Sequence, residues 1–146
     1  MDALHAELVE GAIRAGKKVF VEKPLCIKYE ELARLDAAVR ELGDKCPLVM
    51  VGFNRRYSQA VRLLREEFLG AGPLTINYRF SPGAIPRHVW VHDEDVGGGR
   101  VVGEACHAID ACVAIAGSKP VRVYAESIAV GPGAETSDDS LCITIR

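Results

Sequence analysis

The 146-residue sequence is thin in aromatic residues, with one tryptophan, four tyrosines and four phenylalanines. It holds no apolar run near the roughly 18 residues that a membrane-spanning helix needs. It also lacks a charge excess: 18 basic against 20 acidic residues leave a formal charge of −2, so the positive footprint of a nucleic-acid binder is missing. Asp2, His5 and Glu7 stand where a secretory signal carries a basic start and an apolar stretch, and a cytoplasmic protein is expected. The cysteines Cys26, Cys46, Cys106, Cys112 and Cys142 include no C-x-x-C pair and no zinc-type spacing. Odd in number and far apart, they are expected to be reduced thiols packed as small hydrophobes, with no metal site. No G-x-G-x-x-G follows a strand, and there is no Walker loop, G-x-S-x-G or H-E-x-x-H.

What is present is ordinary globular composition, 49% hydrophobic and 26% charged, enough to build a core without disulfide staples. The apolar pattern alternates helix and strand. Asp2 is positioned to cap a first helix with Leu4, Leu8, Val9, Ala12 and Ile13 on one face, and Gly16 stands at its C′ position. Val19-Phe20-Val21 reads as a buried strand ended by Glu22-Lys23-Pro24. A second helix is expected over Tyr29 to Leu42, with Leu32, Leu35, Val39 and Leu42 as its stripe and Gly43 as its stop. Leu48-Val49-Met50-Val51 reads as a second buried strand. Strands apolar on both faces, separated by a helix, predict a parallel β-α-β unit of an α/β fold. Ser58 is a candidate cap for a third helix bearing Val61, Leu64 and Phe68, closed by Gly70 and Gly72.

Beyond Pro73 the texture changes. Leu74 to Phe80, Val121 to Ala125, and Leu141, Ile143 and Ile145 alternate apolar and polar residues, as half-buried antiparallel strands do. A helix is expected from Gly103 to Ala116. The reading is a partial Rossmann-like unit over 1–71, followed over 72–146 by an open, mainly antiparallel sheet with a helix.

Three stretches bear chemistry. Glu22-Lys23-Pro24 lies at the carboxyl end of a strand, the edge where open α/β sheets bind ligands. Lys23 there suits the stabilisation of a developing alkoxide, and Pro24 suits a cis turn; the spacing alone favours the other reading, a solvated lysine before a loop-starting proline. Gly97-Gly98-Gly99 leads into Glu104, His107 and Asp110, spaced to share a helical face. A carboxylate beside an imidazole orients it as a general base requires. The other reading is a helix start with Glu104 favoured by the dipole and His107 as a satisfied buried histidine. Asn54-Arg55-Arg56 also follows a strand, so its arginines are either an anion clamp or a solvated pair.

Together these stretches resemble one family, the glucose–fructose oxidoreductase, inositol dehydrogenase and MocA oxidoreductases. The matching text is His5-Ala6-Glu7-Leu8, Ala15 to Leu25 with its E-K-P, Val51 to Ser58, and Gly97 to Asp110 with its G-G-G…H-x-x-D. The resemblance implies a nicotinamide cofactor, NAD or NADP, and a sugar or polyol substrate. It implies a Rossmann domain followed by a sheet domain that commonly forms an oligomer interface. It gives Lys23, His107 and Glu104 catalytic roles, with His107 exchanging the hydroxyl proton. It puts Glu22, Lys23, Pro24, Asn54 and Arg55 at the cofactor, and Arg56, Trp90 and Asp110 at the substrate.

Two departures stand out. Many members carry an aspartate four residues before the histidine, where this sequence has Gly103; the neighbouring Glu104 is rotated by about 100° on a helix. The phosphate-binding glycine loop and the ribose-binding acid are also absent, so the chain reads as a truncated or fragmentary member. Tight dinucleotide binding by this chain alone is not expected. The alternatives are a non-catalytic, self-associating module of the same descent, or a second polypeptide that supplies the missing half.

Overall fold

A computed structural model describes residues 2–127 and 140–146. The chain divides into two compact units, Met1–Phe53 with Trp90–Gly103, and Asn54–Val89 with Glu104–Arg146. This division differs from the single boundary at 71/72 read from the change in texture. Trp90–Gly103 belongs to the first unit, and the third helix packs against the fourth within the second.

In the first unit, α1 (His5–Arg14) is followed by β1 (Val19–Val21), α2 (Tyr29–Leu42) and β2 (Val49–Val51). The strands pair in parallel, Val19 with Val49, Phe20 with Met50 and Val21 with Val51, which makes the expected right-sized β-α-β unit. Asp2 does not cap α1; it opens a 3₁₀-helical turn, and the N-cap position is Leu4, without a side-chain cap. The far end ends as anticipated at Gly16, which has φ +69°. Its N–H donates to the Ile13 carbonyl at 3.0 Å and that of Lys17 to Ala12 at 2.9 Å, the paired bonds of a Schellman motif.

Ala6, Val9 and Ile13 of α1, Leu35 and Ala38 of α2, and Val21 form the core, with Val19, Val49 and Val51 packed on it. Odd strand positions therefore point to the helices and even ones away. Phe20, expected to be buried, is 64% exposed, and Leu48 and Met50 are also exposed. Both faces of these strands are apolar, but the described residues cover only one. The helical stripes are narrower than expected for the same reason, since Leu4, Leu8, Leu32 and Val39 lie off the buried face and are exposed.

In the second unit, Ser58 caps α3 (Gln59–Phe68), accepting from the Val61 N–H at 3.4 Å. Both α3 and the 3₁₀-helical turn Asn54–Tyr57 pack on α4 (Cys106–Ala116). The helical run bearing His107 begins earlier than Gly103, as a π-helical segment over Val101–Ala105. Gly117 closes α4 in the left-handed region, φ +63°.

The strands β3 (Val123–Ser127) and β4 (Leu141–Ile145) pair antiparallel, with Ala125 opposite Ile143. β3 begins two residues later than expected and is exposed along its whole length rather than half-buried. The segment Leu74 to Phe80 is not a strand; it makes no ladder among the described residues. Its alternation still has a structural meaning. Leu74, Ile76, Tyr78 and Phe80 line a cavity of about 650 Å³ with residues of α4 and β4. The period-2 pattern specified a one-sided apolar face, but strand formation also needs a neighbouring edge to bond.

Among the described residues, no helix is long and apolar enough to cross a membrane. None of the cysteines is buried: Cys142 is exposed and the other four are half-buried, all as free thiols. The expectation of packed small hydrophobes therefore holds only partly for them.

Candidate active site

The first unit places Glu22-Lys23-Pro24 at the carboxyl end of β1, where the apolar run gives way to charge and proline. The Lys23–Pro24 peptide is cis. The Lys23 ammonium donates to the carbonyl of Gly103 at 2.7 Å. That bond engages one of the three ammonium protons. Pro24 is buried, and its carbonyl lies 2.8 Å from the Nδ1 of His5 at the start of α1. Glu22 is exposed, with its carboxylate over the turn that follows β2. A Cβ on Gly52 would stand 3.0 Å from its Oε2, and the Gly52 N–H donates to the Val21 carbonyl at 2.7 Å. A side chain at 52 would therefore press on the exposed Glu22 carboxylate, which has to give by a few tenths of an ångström to admit it.

The glycine run serves packing within the same unit. A Cβ on Gly97 would come within 2.7 Å of the Val91 Cα and 2.8 Å of the Trp90 carbonyl. One on Gly98 would meet the Ile27 Cβ at 2.8 Å. The N–H groups of Gly97 and Gly98 both donate to the Asp93 carbonyl, at 2.8 and 3.1 Å. Trp90 lies in the 3₁₀-helical turn Trp90–His92 with half its surface exposed.

The second unit buries a polar centre. His107 is 6% and Asp110 9% exposed, one helical turn apart on α4. Asp110 is held by Arg56 in a two-pronged ion pair: Nε donates to Oδ2 at 2.8 Å and the neighbouring Nη2 to Oδ1. This hydrogen bonding pushes the Arg56 guanidinium still higher than its ordinary value. The planar fork matches a carboxylate in both position and charge, so the 3₁₀-helical turn after β2 is pinned to α4 beside His107. Of the other residues singled out, Arg55 donates to the Tyr78 hydroxyl at 3.1 Å and its guanidinium stacks 4.9 Å from the Phe80 ring centroid. Asn54 is exposed, and Glu104 is half-buried in the π-helical segment. Burial pushes the Cys26 and Cys112 thiols up, away from nucleophilic character.

Four residues at these sites carry no chemical signal in their local sequence. The Gly103 carbonyl is displayed through a π-helical segment that no composition announces. Tyr78 and Phe80 look like strand residues until Arg55 is seen on them. His5, 19 positions from Pro24, has no local partner that its spacing reveals. Among the described residues, no group of three or more His, Cys, Asp or Glu is placed to hold a metal ion.

Comparison with known proteins agrees along the chain. Residues 1–53 match the profile of an oxidoreductase family with an NAD-binding Rossmann fold. Residues 57–146 match the GFO/IDH/MocA C-terminal domain. An uncharacterized oxidoreductase of Bacillus subtilis, YrbE, is 30% identical over 98% of this chain and 42% of its own length. Inositol 2-dehydrogenase 3 of Saccharopolyspora erythraea is 47% identical over 42% of this chain and 18% of its own. Among solved structures, levoglucosan dehydrogenase in complex with NADH and levoglucosan superposes with a TM-score of 0.72 and 28% identity, over 99% of this chain and 42% of that one. The chain spans less than half the length of these relatives. With both profiles matched in order and together covering nearly every residue, the chain belongs to the Gfo/Idh/MocA family of NAD-binding oxidoreductases.

Proposed function

We propose that this chain carries the substrate-proximal part of an NAD(P)-dependent oxidoreductase acting on a secondary alcohol of a sugar or polyol. The observation that carries the reading is the turn after β1, which holds the Lys23 ammonium by one proton on the Gly103 carbonyl. A nicotinamide cofactor, when bound, supplies the hydride acceptor or donor. The residues present fit the nicotinamide end of such a group, because the donor set lies at the carboxyl ends of parallel strands. They supply no glycine loop for the pyrophosphate. Lys23 is assigned the substrate oxygen, whose developing alkoxide the positive charge of its ammonium stabilises. Glu22, Pro24, Asn54 and Arg55 are assigned to the cofactor side. His107 is assigned the hydroxyl proton, with Glu104 as an auxiliary carboxylate. Arg56, Asp110 and Trp90 are assigned to the substrate side; the Arg56–Asp110 pair also fixes the helix that bears His107.

Titration with NAD⁺, NADH, NADP⁺ and NADPH, followed by melting temperature, tests the reading. A cofactor at 100 times its Kd adds about 2.7 kcal/mol, which is roughly 5–11 °C for a chain near this length. No shift at millimolar concentration with any of the four would remove stand-alone cofactor binding. In an assembly that turns over, Lys23→Ala is expected to lower kcat with folding intact.

The exposure of β3 along its whole length favours a second reading, a module that self-associates through its sheet without catalysis. An isolated two-stranded ribbon is marginal in water, and Val123 and Tyr124 are both exposed. Light scattering that shows a monomer at high concentration would count against it.

A further inference from the structure

We infer that His5 is a positioning residue for the Lys23 turn, acting through the Pro24 carbonyl; this rests on the reading of Lys23 given above. A carbonyl oxygen only accepts, so at 2.8 Å from it the Nδ1 of His5 must carry the proton and donate. Neutral His5 is therefore the Nδ1–H tautomer, the less common one for a free imidazole. The bond joins the first residue of α1 to the residue immediately after Lys23, across 19 positions.

The geometry explains why this one bond matters. Pro24 is buried, has no N–H of its own, and leaves its carbonyl outside any strand ladder at the end of β1. α1 is itself anchored by Ala6, Val9 and Ile13 in the core, so His5 projects from a rigid support. Lys23 is then held at two points. Its backbone is fixed by the His5–Pro24 bond on one side, and its ammonium by the Gly103 carbonyl at 2.7 Å on the other. A long side chain with four rotatable bonds is directed only if its base is fixed. Nothing in the role requires His5 to touch substrate or cofactor.

Two measurements on the whole chain test this without cofactor. The first is the ¹⁵N shift of the His5 ring nitrogens, followed upward in pH until the ring is neutral. Protonated Nδ1 is the expected result; protonated Nε2 would overturn the proposal at once. The second is the rate at which an amine-reactive acylating reagent modifies Lys23, read by mass spectrometry against the other lysines. His5→Ala is expected to raise the Lys23 rate about fivefold, the population change that one lost net hydrogen bond gives, with Lys17 and Lys18 unchanged. His5→Asn, whose amide nitrogen takes the place of Nδ1, is expected to restore most of the protection. A folded His5→Ala with unchanged Lys23 labelling, or a His5→Asn no better than alanine, overturns it. If alanine fails to fold, the tautomer and the asparagine variant still decide. Neither readout uses the substrate, so failure of the proposed activity of Lys23 and failure of its positioning by His5 are distinguishable.

Discussion

The two units bury opposite things. The first closes an apolar core of Ala6, Val9, Ile13, Val21, Leu35 and Ala38. In the second, among the described residues, the buried side chains are His107, Asp110 and the small Ala111. Its larger apolar groups line an open cavity instead. Stability in the first unit comes from area removed from water, which is non-directional and tolerant. Order in the second depends on the bidentate Arg56–Asp110 pair, which is directional and fails as a whole when one partner goes. A helix that must present a histidine in a defined orientation benefits from the second kind of restraint.

The largest expected effect breaks the apolar side of this contrast. Among the described residues Ile13 is the largest fully buried side chain, and Ile13→Ala is expected to cost about 2–5 kcal/mol, read by urea unfolding. The first unit should lose its cooperative transition, and hydrogen exchange should quicken in α1 and α2 before α3 and α4. Equal quickening in both units would mean that they unfold as one.

Next is the polar side. Asp110→Ala leaves the Arg56 guanidinium without its carboxylate. Because Arg56 is 38% exposed, water partly re-solvates it, and the expected loss is about 1–3 kcal/mol, below that for a fully buried pair. A double-mutant cycle with Arg56→Leu should return part of that loss. Simple additivity would show that the pair contributes no coupling.

A smaller effect sharpens the comparison at the helix that packs on α4. Ser58→Ala removes the α3 cap, whose bond is long at 3.4 Å, so the loss should fall near or below about 1 kcal/mol. It is expected to be uniform with pH.

The smallest effect is electrostatic and lies on the surface of the first unit. Lys28 and Asp95 pair there; the pairing holds the Asp95 carboxyl below its usual range and the Lys28 ammonium above its own. A lowered carboxyl contributes above its unfolded value and loses the contribution as pH falls through the lowered one; a raised ammonium does the reverse at the alkaline end. The stabilisation therefore spans roughly pH 4 to 10 and is screened by salt. Lys28→Ala should melt slightly earlier than wild type at pH 7 and coincide with it near pH 2. A gap that persists at pH 2 would assign the effect to packing of the lysine stem.

Much of the fold was legible in the residues. The β-α-β order, the span Tyr29 to Leu42, the Ser58 cap and the Gly16 stop each rest on a local signal, either apolar period or a residue suited to one backbone conformation. Errors arose where a local signal needs a distant partner. Phe20 and Met50 are strand residues, but whether a strand face is covered depends on what packs there. Leu74 to Phe80 has the right alternation and lacks a ladder, since hydrogen bonds between strands are made by two segments and not by one.

At the site the same distinction holds. The sequence by itself determined which chemistry is carried: an ammonium after a strand, an imidazole and a carboxylate one helical turn apart, and a run of glycines before them. It could not say that Asp110 is held by Arg56, that the glycines admit Trp90, Val91 and Ile27, or that His5 meets Pro24. The His5–Pro24, Arg56–Asp110 and Gly98–Ile27 pairings join residues 19, 54 and 71 positions apart. Local propensity acts over a few residues, whereas these contacts exist only once packing has brought separate helices and loops within a few ångströms of each other.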